Sequence, residues 1–311
     1  MSEQHVFVTG GSGFIGSRVV ALLVEAAGRS PWSAVRALAR SDSSAAQLAA
    51  LGAKPVPGSL EDAAGAWRAV ASSAAWVVHC AQPRIEHGED YGVRLRMEAN
   101  LLEALEPGTV RRAVFVYGSS YHGEVLDESA EPRRPIGLGR AFEPAVAAFH
   151  ARRLAGLDAV AAFPGAVYGR GSWFLEMFLE SIVVGDPVVV CDPAPRWPFV
   201  QVDDCAAALV ALLEIPAARL DEVGREVIVA DDRPVALDRF IEDLGRRVGR
   251  APLFLRKTRD ELRAMLPRLM ADYLAADMPH SNARLRRLGV GLRHPTIEEG
   301  LASLDLARAR R

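Results

Sequence analysis

The segment Tyr117-Gly118-Ser119-Ser120-Tyr121-His122-Gly123 gathers hydroxyl, phenol and imidazole side chains directly after an apolar run, Ala113 to Val116. Together they could activate a carbonyl. Ser119 could hydrogen-bond the carbonyl oxygen, and Tyr121 or His122 could protonate it. The phenol has an ordinary pKa of about 10 and the imidazole of about 6.5, so only His122 is an acid near neutrality without help. Each also has a structural alternative: paired serines are ordinary turn residues after a strand, and loop aromatics and histidines serve packing or the surface. His79, His87, His150, His280 and His294 show no metal-ligand spacing with one another or with cysteine, and no metal is expected.

A second constellation lies near the start, in Val6-Phe7-Val8-Thr9-Gly10-Gly11-Ser12-Gly13-Phe14-Ile15-Gly16. An apolar run turns through glycines into a segment with Ile15, Val19, Leu22 and Leu23 on one helical face. Gly10 permits the tight turn, Gly13 lets backbone approach a pyrophosphate, and Gly16 allows helix and strand to pack closely. The expected dinucleotide contacts here are Gly10, Gly13, Phe14, Ile15 and Gly16. Cofactor type turns on the end of the second strand, where a carboxylate suits ribose hydroxyls and an arginine suits a 2′-phosphate. Val35-Arg36-Ala37-Leu38-Ala39 is followed by Arg40, which favours NADP(H); Asp42 keeps NAD open if the strand ends later.

The elements that must position these groups follow from the apolar pattern. Strand-like runs recur at Val35 to Leu38, Trp76 to Cys80, Ala113 to Val116 and Ala159 to Phe163, separated by helix-length stretches. That alternation predicts an α/β fold with a doubly wound parallel sheet. Beyond Tyr168 the pattern loosens, with a helix Trp173 to Val184, runs Val188 to Cys191 and Phe199 to Val202, a helix Cys205 to Glu214 and a run Val227 to Val229. The expected division is a dinucleotide-binding domain over 1–168 and a smaller substrate-binding lobe over 169–311, part of which returns to the first domain. Trp173, Phe174, Met177, Phe178, Trp197 and Phe199 could line an apolar or aromatic substrate pocket, or simply form core. Asp203 and Asp204 read as helix caps.

The 311 residues are 50% hydrophobic and 24% charged, with a formal net charge of −2. Nucleic acid is not an expected partner. No run approaches the roughly 20 apolar residues needed to span a bilayer. Val6 to Val8 enter a strand without a signal-peptide pattern, so a cytoplasmic protein is expected. Cys80, Cys191 and Cys205 sit far apart in apolar segments and read as reduced thiols.

Taken in order, these segments resemble the extended short-chain dehydrogenase/reductase family of nucleotide-sugar epimerases, dehydratases and NADPH-dependent carbonyl reductases. Thr9 to Gly16 is similar to its glycine motif, Gly58-Ser59-Leu60 to its adenine-side turn and Val78-His79-Cys80-Ala81 to its fourth-strand motif. Phe163-Pro164-Gly165-Ala166-Val167-Tyr168-Gly169 and Phe199-Val200-Gln201-Val202-Asp203-Asp204 resemble two later family segments. The resemblance adds Ser59, Leu60, Cys80, Ala81, Pro164 and Val167 to Arg40 and the glycine turn as cofactor contacts, and it implies that Ser119 is the active-site hydroxyl.

One feature of the family is missing. Its Tyr-x-x-x-Lys dyad moves the proton and holds the nicotinamide ribose, but the residues four after Tyr91, Tyr117, Tyr121, Tyr168 and Tyr273 are Leu95, Tyr121, Val125, Ser172 and Asp277. By position Leu138 replaces the tyrosine and Phe142 the lysine. The expected function is therefore an NADPH-dependent reductase of a small, apolar or aromatic carbonyl, quinone or imine, its proton drawn from Ser119, Tyr121 or His122. A noncatalytic NADP(H)-binding or redox-sensing protein, or an epimerase/dehydratase-like enzyme, is the alternative. A homodimer is expected through Tyr91 to Leu105 and Arg140 to Leu154, with Ala141, Ala145, Ala148 and Phe149 facing the symmetry mate or the chain's own sheet.

Overall fold

The computed structural model describes residues 4–83, 91–130 and 133–306; His87 lies outside them. The chain forms two compact units, residues 1–117, 141–162 and 206–227 in one, and 118–140, 163–205 and 228–311 in the other. Along the sequence the segments of the two units alternate, and 206–227, beyond residue 168, falls in the first. The stretch 206–227 belongs to the first because it runs along the sheet edge, where the Ala161 amide donates to the Arg225 carbonyl at 2.9 Å.

The first unit is built on β1 (His5–Thr9), β2 (Ala34–Ala39), β3 (Lys54–Pro57), β4 (Trp76–His79), β5 (Arg112–Val116) and β6 (Ala159–Pro164). With the strand Glu226–Val229 they form one sheet, ordered Glu226–Val229, β6, β5, β4, β1, β2, β3. The ladders β3–β2, β2–β1, β1–β4, β4–β5 and β5–β6 are parallel, which confirms the doubly wound α/β class. Fully apolar strands are explained by cover on both faces. Val6, Phe7 and Val8 are wholly buried, as are Val19, Val20 and Leu23 of α1 (Phe14–Ala26). Each such side chain contributes roughly 1.5–3 kcal/mol of transfer free energy.

The helices α2 (Asp42–Ala50), α3 (Trp67–Ser72), α4 (Tyr91–Ala104) and α5 (Glu143–Leu154) complete the alternation. The stripe considered for a symmetry mate or the chain's own sheet lies on and just before α5, with Ala148 half-buried. Ala141, Ala145 and Phe149 are buried, and the Phe149 ring meets Phe115 of β5 at 5.6 Å. An aromatic residue at that register closes the chain's own core.

In the second unit, Ala166–Tyr168 pairs in parallel with Phe199–Gln201, and Val188–Cys191 with Phe254–Lys257. The aromatic stripe divides. Phe174, Phe178, Trp197 and Phe199 are core, with Phe199 stacked on Phe240 at 4.1 Å, whereas Trp173 and Met177 are exposed. The helix expected from Cys205 begins at Val202, and its cap is not an aspartate. The Gln201 side-chain oxygen accepts from the backbone amides of Asp203 and Asp204. Asp204 instead accepts from the amides of Arg293 and His294, at 2.7 and 2.9 Å, and anchors the C-terminal segment.

Candidate active site

Close approach dictates two glycines of the turn between β1 and α1. Gly10 has φ +71°, and a Cβ on it would come within 2.5 Å of the Ala81 nitrogen; a Cβ on Gly16 would come within 2.1 Å of the Gly10 oxygen. Gly13 caps α1 with no side chain over the first-turn amides, and the nearest atom to a Cβ there is the Gly10 oxygen at 3.2 Å. Bare amides at the positive end of a helix dipole are an anion site. Phe14 and Ile15, both half-buried, form its first turn.

β2 ends at Ala39, and Arg40 stands exposed immediately after it. Ser41 then caps α2 through a reciprocal capping box with Ser44, which places Asp42 inside the helix. The Ser59 hydroxyl accepts from the Glu61 amide at 3.2 Å, and the buried Leu60 offers its carbonyl to Asn100 Nδ2 at 2.7 Å. Cys80 donates its amide to the Thr9 carbonyl at 3.0 Å, and burial pushes its thiol up to about 12. These residues fit a dinucleotide, with amides for a pyrophosphate and backbone without Cβ beside them, and Arg40 is an exposed cation beyond β2.

A buried polar network lies at the carboxyl ends of β1, β4 and β5. Thr9 and His79 are register partners, with Thr9 Oγ1 2.6 Å from His79 Nδ1 and His79 Nε2 3.2 Å from Glu98 Oε2. The Tyr117 hydroxyl donates to the other Glu98 oxygen. One turn earlier on α4, Arg94 donates to Gln82 Oε1 and, at 3.5 Å, to the Val116 carbonyl. Its guanidinium carbon lies 5.4 Å from the Tyr117 ring and 4.3 Å from that of Phe142. Burial pushes Arg94 below its ordinary value, while the charge of Glu98 opposes that shift. The sequence reading missed this network; its signals were the Arg94/Glu98 pair four residues apart and a histidine ending an apolar strand.

In the second unit, Ser119–Tyr121 form a 3-10 turn. Ser119 and His122 are buried, His122 completely, and Tyr121 is half-buried. A Cβ on Gly139 would come within 2.3 Å of the Ser120 oxygen, so a glycine is required where the 136–139 segment crosses the turn. The His122 ring packs edge-on to Phe163 at 4.4 Å and lies 6.3 Å from His280. Burial pushes His280 down, and its Nε2 donates to the Gly123 carbonyl at 2.7 Å. Tyr121 stacks on Phe163 at 5.3 Å and receives a long hydrogen bond, 3.4 Å, from Arg133.

Pro164 is buried and Val167 half-buried, with Gly165 between them where a Cβ would strike the Pro198 oxygen at 1.7 Å. A cavity of about 400 Å³ in this unit is lined by Cys191, Pro193, Arg196, Arg259 and Asp277, with Arg196 paired to Asp277 and Arg259 to Glu124. Among the described residues, no three His, Cys, Asp or Glu side chains gather into a metal-sized cluster.

Residues 6–229 match the NAD dependent epimerase/dehydratase family. The chain belongs to that family. At 25% identity it is similar to an uncharacterized Schizosaccharomyces pombe protein, over 96% of this chain and 99% of that one. Among solved structures, it superposes on a Thermus thermophilus UDP-glucose 4-epimerase in complex with NAD with a TM-score of 0.74, 22% identity and 99% of each chain covered. A human epimerase family protein, SDR39U1, with NADPH gives a TM-score of 0.73 at 20% identity, over 97% of this chain and 99% of that one. The family's nicotinamide dinucleotide is thus bound in both forms among proteins of this fold.

Against the family frame, Leu138 is 45% exposed and Phe142 is buried, both in the 3-10 turn Gly137–Phe142. Lys54 lies on β3, and Lys257 pairs with Glu261 at 3.2 Å.

Proposed function

We propose that this protein is an NADPH-dependent reductase of a small carbonyl, quinone or imine with an apolar or aromatic body. The reading is supported by the chain's own residues: an apolar Leu138 and a ring-packed Phe142 where the sequence resemblance would put the family's dyad, and a hydroxyl-bearing turn after β5. Oxidising a sugar hydroxyl needs a base at the reacting oxygen. Reducing an electron-poor acceptor needs, besides the cofactor's hydride, a proton donor.

Gly10, Gly13, Phe14, Ile15 and Gly16 would hold the pyrophosphate side of the cofactor, and Ser59, Leu60, Cys80, Ala81, Pro164 and Val167 its remaining contacts. Arg40 would hold the 2′-phosphate, since it occupies the position directly after β2 that Asp42, drawn into α2, does not reach. When bound, NADPH supplies a hydride. The chain's own contribution would be a proton from the Ser119–Tyr121 turn to the substrate oxygen and a hydrogen bond from Ser119 that polarises it.

A noncatalytic NADP(H)-binding role is the second reading, favoured by the burial of Ser119 and His122. Turnover separates the two. Oxidation of NADPH with members of a carbonyl, quinone and imine panel supports the reductase, and tight NADPH binding with no acceptor reduced anywhere in the panel replaces it with the binding role. No helix among the described residues is long and apolar enough to cross a membrane, and a cytoplasmic homodimer is part of the proposal. A monomer mass in light scattering at micromolar concentration would remove the dimer.

A further inference from the structure

We propose that Glu98 is a positioning residue for the cofactor turn: it keeps the His79 ring proton on Nε2, so that Nδ1 accepts the Thr9 hydroxyl immediately before Gly10. This role rests on the reading of the β1 turn as a dinucleotide site. It employs a buried network that the reductase chemistry leaves unused.

Every member of the network lies in the first unit. Thr9, His79 and Glu98 are all buried, so their hydrogen-bonding is settled among protein groups. The Tyr117 hydroxyl donates to Glu98 Oε1, and the charge of Glu98 supports Arg94, one turn earlier on α4. A carboxylate in that position accepts and does not donate. His79 Nε2 meets Glu98 Oε2 at 3.2 Å, an ion-pair approach outside ideal hydrogen-bond alignment. A neutral imidazole carries one N–H and one bare nitrogen, and the carboxylate charge favours the N–H on the side it faces. Nδ1 is then the bare nitrogen. The Thr9 hydroxyl, 2.6 Å away, donates to it.

Thr9 and His79 end β1 and β4 as register partners, and each leads into a turn. One backbone bond already joins these strand ends, from the Cys80 amide to the Thr9 carbonyl at 3.0 Å. The Thr9–His79 side-chain bond is a second tie. The fit it holds is close, since a Cβ on Gly10 would come within 2.5 Å of the Ala81 nitrogen. Any shift of Gly10 reaches α1 as well, because the Gly13 amide donates to the Gly10 carbonyl at 3.0 Å. Groups that bind a ligand must be held to within about 0.5 Å, and hydrogen bonds behind them supply that rigidity. Loss of the second tie should let the Gly10 and Cys80–Ala81 turns part, which weakens dinucleotide binding.

Nuclear magnetic resonance of the isotope-labelled imidazoles tests the tautomer directly. Long-range proton–nitrogen correlations report the form of each of the seven histidines, and His79→Gln assigns the His79 signals by their loss. The wild type should show the Nε2–H form. In Glu98→Gln the side-chain amide can donate to Nε2, so the ring proton should move to Nδ1. NADPH affinity, measured by calorimetry, should fall about tenfold in Glu98→Gln and in Thr9→Val, while Thr9→Ser, which keeps the hydroxyl, should stay within about threefold of the wild type. An Nδ1–H or doubly protonated His79 in the wild type overturns the assignment without recourse to a variant. A reversed tautomer in Glu98→Gln with unchanged NADPH affinity overturns the positioning role alone. A wild type that binds neither NADPH nor NADH removes the dinucleotide reading, and this role with it.

Discussion

The guanidinium carbon of Arg94 lies 4.3 Å from the centroid of the Phe142 ring. The chain thus holds a buried cation from α4 against an aromatic ring of the Gly137–Phe142 turn. A cation over an aromatic face is attracted by the ring quadrupole, by about 2 kcal/mol when both are desolvated. A lysine at position 142 would stand beside Arg94.

Phe142→Lys should therefore destabilise the protein without creating a functioning dyad. It removes a buried ring and sets a second cation beside Arg94, at an expected cost of about 3 kcal/mol or more. Thermal melting of the variant should fall by several degrees. An unchanged melting temperature with increased turnover would show that the ammonium is accommodated.

Arg40→Ala should erase the preference for NADPH over NADH. A charge-assisted contact to phosphate contributes about 1.5–3 kcal/mol, enough for at least a tenfold preference in the wild type. Isothermal calorimetry with both cofactors checks it, and equal wild-type affinities would end the 2′-phosphate assignment.

Ser119→Ala should lower turnover by roughly 10² to 10⁴ while NADPH affinity holds, because a hydroxyl on the substrate oxygen contributes most in the transition state. Steady-state kinetics beside a direct cofactor-binding measurement separates the two quantities. A proportional loss of NADPH binding would make Ser119 a structural residue of its turn.

Asp231 predicts a pH dependence of stability. Burial, with Asp204 and Asp232 adding repulsion, pushes its carboxyl up to about 8. A carboxyl with a raised folded-state pKa is most favourable below its unfolded value of about 4, and that stability is lost as pH rises through the folded value. The wild type should thus lose stability, on the order of a few kcal/mol, between about pH 4 and pH 8. Asp231→Asn should flatten this decline in melts across that range. A variant that keeps the wild-type slope would locate the proton uptake elsewhere.

Local rules made much of the fold legible from the sequence. Glycine spacing, a continuous apolar run and the first helix face identify the β1 turn because each depends on neighbours a few residues away. The same holds for Trp173–Val184 and Val188–Cys191, whose bounds in the structure are those the periodicity implies. Arg40 was readable for the same reason, as the residue following an apolar strand.

What the tertiary structure decided are the relations that span long stretches of chain. Arg94 meets Phe142 from 48 residues away because parallel ladders align the ends of β4 and β5, a register no local pattern encodes. Burial sorted the candidate acids in the same manner: Tyr121 and His122 are adjacent in sequence, yet packing encloses one and leaves the other half-exposed under Arg133. Asp204 looked like a cap because acids suit helix starts, but Gln201 folds back onto those amides and the carboxylate turns to residues 293 and 294. Propensity states which groups a residue can satisfy; only the assembled chain determines which of them is within reach.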